Sequence, residues 1–201
     1  RVAQRIRTHM AALDHNQPLG AADETVVARI AKVRRITNPH RNTPNSASVL
    51  LLCDRSRVTS TIMVRPSQKL LRTAIGLKVD VRSHLVTDCH WTFRALSDYS
   101  SGRPIAEHVP DYFFDRSPSE NLIHGFMQYL NLSFSDQFRG VSLENAWLYF
   151  KEYEFRYNRR LRSADTFKDL VSGFPSFDDQ NLELIKAANF FQGASRRRRK
   201  D

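Results

Sequence analysis

The sequence predicts an α/β fold, a mixed β-sheet flanked by helices, and three observations carry that expectation. Segments of strand character alternate with segments of helical period, the order that builds layered α/β domains. Residues 47–64, ASVLLLCDRSRVTSTIMV, hold two β-rich apolar runs around Asp54–Arg57, as a hairpin requires. That antiparallel hairpin argues against a purely parallel, doubly wound sheet.

Taken in order, residues 1–14 predict a helix, because Val2, Ile6, Met10 and Leu13 recur at spacings of three and four. Asn16 to Gly20 breaks it, and Ala21–Ile30, with Val26, Val27 and Ile30, predicts a short strand. Residues 37–46 are a polar loop with two prolines. After the hairpin, residues 67–77 predict a helix with Ser67 as N-cap and Leu70, Leu71, Ala74 and Ile75 facing inward. His84–Thr87 is a short apolar strand ending at Asp88, with a helix expected to follow through Leu96. Residues 97–119 contain Pro104, Pro110 and Pro118 and are irregular, with one strand near Ile105–Val109. Helices are expected from Ser119 or Glu120 through HGFMQYL, from Ser142 to about Arg160, and over Asp165–Val171. The end, Arg196–Lys200, is a charge run expected to be disordered. No internal repeat is present.

The 201 residues suffice for one sizeable core, or one domain plus an appendage. Mean hydropathy is −0.49 and no run of 18 apolar residues exists, so a membrane span is not expected. The basic N-terminus lacks the apolar stretch of a signal peptide. With no starting Met, a fragment is the expectation. Net charge is +10, which points to a polyanionic partner, nucleic acid before a membrane surface. Cys53 and Cys89 form no CxxC pair, so neither a disulfide framework nor a zinc ribbon is expected, and a reducing compartment fits.

Walker loops, GxGxxG, GxSxG and HExxH are all missing, and glycine is scarce. What remains is carboxylates at strand ends. Asp23 lies in ADETVV, within or beside the first strand, and Asp88 in HLVTDCH, where a buried strand opens into a turn. Such positions are exposed at the sheet edge, where α/β proteins build sites. Two carboxylates on neighbouring strands can hold Mg²⁺ ions, which prefer oxygen ligands, and a metal pair can activate water for phosphodiester cleavage. The bland alternative is that both merely cap turns.

RIRTHMA, ADETVV, VLLLCDRSRVTSTIMV, LVTDCHWTFRAL and, most specifically, FRGVSLENAWLYFKEYEFRYNRR carry a resemblance across nearly the whole chain. It resembles the insertion-sequence transposases of the DDE, ribonuclease-H-like superfamily, in the branch related to the eukaryotic Merlin elements. The resemblance implies a ribonuclease-H-like mixed sheet, with a linker helix over residues 1–20, a catalytic domain over 21–175 and an extension with a basic tail over 176–201. It implies metal-assisted phosphoryl transfer with two Mg²⁺ (or Mn²⁺) ions, cutting transposon ends and joining them to target DNA. The partners implied are DNA and further copies of the chain, in a nucleoid-associated cytoplasmic setting, or the nucleus in a eukaryote. Asp23 and Asp88 match the first two acid positions. The third falls in SENLIHGFM, where the family places a Glu and this chain has His124, with 35 residues between it and Asp88. Glu120, one turn earlier, is a candidate substitute acid. A basic residue carried by many members is here Asn131. The family's zinc-binding and helix-turn-helix parts are expected outside this segment.

In the 142–160 helix, Leu143, Ala146, Phe150, Tyr153 and Tyr157 form a stripe expected to be core, leaving Arg156, Arg159, Arg160 and Arg162 free for phosphates. His124 and Asn131 keep a rival class open: a domesticated, non-cutting protein that binds nucleic acid or scaffolds a complex.

Overall fold

The computed structural model describes residues 2–14, 17–34, 36–37, 46–88, 91–93, 96, 106–108, 118–136, 141–174 and 179–192. Its six-stranded sheet runs in the order β6-β5-β1-β3-β4-β8. Here β1 is Thr25–Arg34, β3 Ser46–Cys53, β4 Val58–Met63, β5 His84–Thr87, β6 Ala106–His108 and β8 Phe190–Phe191. β1, β3 and β4 form an antiparallel meander, β5 and β6 add in parallel on the β1 side, and β8 adds in parallel to β4. A meander followed by parallel strands on its first edge, with helices on both faces, is the ribonuclease-H-like topology. A separate parallel pair joins β2 (Ile36–Thr37) to β7 (Val141–Ser142).

Among the described residues there are six helices: α1 (Val2–Leu13), α2 (Gln68–Lys78), α3 (Pro118–Asp136), α4 (Leu143–Asn158), α5 (Ser163–Val171) and α6 (Asp179–Asn189). The hairpin forms where its sequence expects it. Asp54 Oδ1 accepts bonds from the Ser56 and Arg57 amides at 2.8 and 2.9 Å, turning the chain between β3 and β4. Burial alone would raise the Asp54 carboxyl pKa, but these bonds, with those from the Ser56 hydroxyl and the Gly20 amide, hold it below the usual range. Ser67 caps α2 by accepting from the Leu70 amide. Trp91–Phe93 form a turn where the pattern predicts a helix, and residues 89–90 and 94–95, the 38–45 loop and the basic tail lie outside the described residues.

Strand alternation splits the core into two layers. Val27, Val33, Val49, Leu51, Cys53 and Ile62 face Ile123, Phe126 and Leu130 of α3 and Trp147, Phe150 and Tyr153 of α4. Val26, Ala28, Leu50, Leu52 and Met63 face Leu71, Ala74 and Ile75 of α2. The termini of the described chain share this core. Ala11 of α1, expected in a linker helix, and Ile185 of α6, expected in an extension, are both buried in the first layer.

The stripe expected on α4 is inward, but the helix is buried beyond it. Lys151 and Glu154 are 5% and 3% exposed. The Lys151 ammonium donates to both Glu154 oxygens at 2.8 and 2.7 Å, and Glu154 also accepts from the Ser60 amide and from the Thr59 and Ser60 hydroxyls. Lys78 of α2 turns its amine inward to Asn189 Oδ1 at 2.7 Å, and Asn189 Nδ2 donates in turn to the Ile185 carbonyl. Burial, then the Lys151 charge, push the Lys78 amine well below the usual lysine range, with Glu154 opposing them. A lysine with a lowered folded pKa contributes its full stability above the unfolded pKa of about 10.4 and loses it as pH falls through that value toward the folded one. Urea unfolding of wild type and Lys78→Met is therefore expected to show wild type gaining on the variant between pH 7.5 and 9.5.

Candidate metal site and nucleic-acid interface

Asp88 follows the last residue of β5, and its place is set by the parallel register of β5 with β1. Thr25 pairs with His84 and Ala28 with Thr87. One further step sets Arg29, not Asp23, beside Asp88. Asp23 lies before β1 in a turn closed by the Glu24 amide on the Ala21 carbonyl, at φ +63°. Its own amide donates to the Arg82 carbonyl at 3.3 Å, six residues before Asp88. At about 3.3 Å per residue, that places Asp23 and Asp88 roughly 15–20 Å apart, at opposite ends of paired strands. The expectation that they face each other across neighbouring strands is therefore not met. Asp23 belongs to a turn because the strand begins at Thr25, four residues later than its pattern suggested.

His124 lies on α3 and is exposed, as are Asn121, Gln128 and Asn131 on the same stripe. The opposite face carries Ile123, Phe126 and Leu130 into the core, and the Tyr157 hydroxyl pins the helix by donating to the Leu122 carbonyl at 3.1 Å. Glu120 is in the first turn of α3, and its side chain lies outside the described residues. Among the described residues no three His, Cys, Asp or Glu side chains gather in a geometry that could hold a metal ion. Metal ions in a two-ion centre sit about 3.5–4 Å apart between shared carboxylates. Asp23 and Asp88, set apart by this register, do not share such a centre in this structure.

The four arginines expected at phosphates divide. Arg159 is already engaged: both its terminal nitrogens donate to Asp14 at 2.8 Å, and its guanidinium lies 3.9 Å over the Phe155 ring. It fastens α4 to α1, so in this structure its guanidinium is engaged within the fold. Arg156 is exposed but paired with Glu152 at 2.7 Å, a carboxylate shared with Arg7. Arg160 stacks 4.2 Å over Tyr157, and Arg162 is exposed. Beside them opens a polar cleft of about 650 Å³ whose lining includes Arg57, Arg159, Arg162, Lys168, Asp165 and Asp169.

The Asp23 end of the sheet depends on Gly20. Its φ is +74°, and a Cβ there would collide with the Ser83 hydroxyl and come within 2.8 Å of a Val26 methyl carbon. Left-handed backbone costs a residue with a Cβ about 1–2 kcal/mol and overpacking about 1–3 kcal/mol. Gly20→Ala is expected to lower stability by about 2–4 kcal/mol in urea unfolding.

The fold and these positions define a ribonuclease-H-like α/β domain. Residues 20–158 match the ISXO2-like transposase domain family, and the chain belongs to it. No curated protein sequence matches the chain. Among solved structures it is similar to a pre-cleavage Mos1 transpososome, at 14% identity over 88% of this chain and 64% of that chain, with a TM-score of 0.44. It is also similar to the mariner Mos1 paired end complex with Mg, at 16% identity over 87% and 64%, with a TM-score of 0.42. The chain thus spans about 64% of the length of these solved chains. No described helix is long and apolar enough to cross a membrane.

Proposed function

We propose that this transposase-family domain holds DNA, in an assembly of copies, without cutting it at a centre made of Asp23, Asp88 and His124. The parallel register of β1 and β5 carries this reading, since it separates the two aspartates. The net charge of +10 and the exposed Arg160 and Arg162 support binding to a phosphate backbone. Each phosphate neutralised releases counterions, so affinity falls with salt, with a log–log slope of about −0.9 per contact.

The second reading is metal-dependent cleavage of transposon ends and strand transfer with Mg²⁺ or Mn²⁺. The family match favours it, because residues 20–158 span Asp23, Asp88 and His124. It requires Asp23 and Asp88 to meet. Fluorescence anisotropy with duplex DNA, run beside a nicking assay in Mg²⁺ and in Mn²⁺, separates the two. Salt-sensitive binding without nicking is expected for wild type. Arg160→Ala and Arg162→Ala are each expected to reduce the salt slope by about one unit. Nicking that Asp88→Ala abolishes would establish the second reading instead.

A further inference from the structure

We infer that the Arg29 guanidinium supplies the positive charge beside Asp88 that a metal ion would otherwise bring, and so keeps divalent metal from that carboxylate. The inference rests on the non-cutting reading above and deepens it at one residue.

Paired residues on adjacent strands point to the same face. Val27 and Val33 of β1 belong to the layer under α3 and α4, and Ala31 packs against it. Arg29 falls at the same parity, a charged residue at an inward position of an apolar alternation. It is half-buried, and its Nε is buried. On β5, Val86 packs against that same layer, and Asp88, two residues on, shares its parity. Arg29 and Asp88 are therefore neighbours in register and in face, flanked by Val27, Ala31 and Val86. A guanidinium is always charged and matches a carboxylate through its planar fork. Mg²⁺ in the same place would need oxygen ligands at about 2.0–2.1 Å and would meet that fixed cation. Asp23, in the turn before β1 and level with Arg82, is too far away to contribute one.

The test is Mn²⁺ binding by electron paramagnetic resonance on the full chain, with DNA anisotropy in the same buffers. Wild type is expected to bind no stoichiometric Mn²⁺ at millimolar concentration. Arg29→Asp sets two carboxylates side by side and is expected to bind Mn²⁺ at least tenfold more tightly than wild type, with the gain lost when Asp88→Asn is added. Circular dichroism establishes that the variants fold. Stoichiometric Mn²⁺ on wild type that is lost in Asp88→Asn would overturn the inference, and this arm needs no folded Arg29 variant. A folded Arg29→Asp that gains no Mn²⁺ would overturn it too. Loss of DNA binding by wild type would instead sink the DNA-holding function and leave the metal result standing.

Discussion

Glu154→Ala is expected to destabilise the chain by about 3–5 kcal/mol, enough to threaten the fold of a domain whose whole stability is of the order of 5–15 kcal/mol. The carboxylate is the only acid bonded to the buried Lys151 ammonium among the described residues, and the two side chains are 4% and 6% exposed. Removing it leaves that charge uncompensated and strips acceptors from the Ser60 amide and from the Thr59 and Ser60 hydroxyls. It also removes the one favourable charge acting on the Lys78 amine. Urea unfolding measures the loss directly. The double variant Glu154→Leu/Lys151→Met serves as the control. A buried ion pair replaced whole by apolar groups of similar volume is often neutral or stabilising, so the double variant should recover most of the loss. Equal losses in the single and double variants would show that shape, not charge, governs the site.

Phe126→Ala should cost about 3–5 kcal/mol by a different route, the cavity left in a close-packed core. Phe126 is fully buried on the inner face of α3, with its ring 5.3 Å from that of Tyr157. Tyr157 also holds α3 through the Leu122 carbonyl, so the ring and the hydroxyl fasten the helix at neighbouring points. Hydrogen exchange should then show lost protection concentrated in α3, while the β3–β4 hairpin stays protected. A uniform loss across the sheet would instead mean that α3 and the sheet open as one unit.

Local features were legible in the sequence. The Asp54–Arg57 turn, the Ser67 cap and the α4 stripe are set by chemistry within a few residues, and each stands where its pattern places it. Long-range register was not legible. Which end of β5 lies beside which residue of β1 depends on strands some sixty positions apart, and ADETVV cannot reveal that its aspartate sits in a turn before the strand. A signal was nevertheless present. Arg29 interrupts the alternation of Val27, Ala31 and Val33, and a cation at an inward strand position marks a site that needs charge. The same logic would have singled out Lys151 and Glu154, three residues apart in a helix otherwise rich in aromatic core residues. The pairing of β8 with β4 is not legible in the sequence, because two phenylalanines after a helix carry no period.

The separation of Asp23 and Asp88 can be measured by double electron–electron resonance between spin labels on Asp23→Cys and Asp88→Cys in a Cys89→Ser background, where the remaining Cys53 is buried. The register predicts a backbone separation of roughly 15–20 Å, with and without Mn²⁺-free DNA. A separation below about 10 Å in the DNA complex, the distance two carboxylates sharing a metal pair demand, would contradict the non-cutting account and restore the cleavage centre.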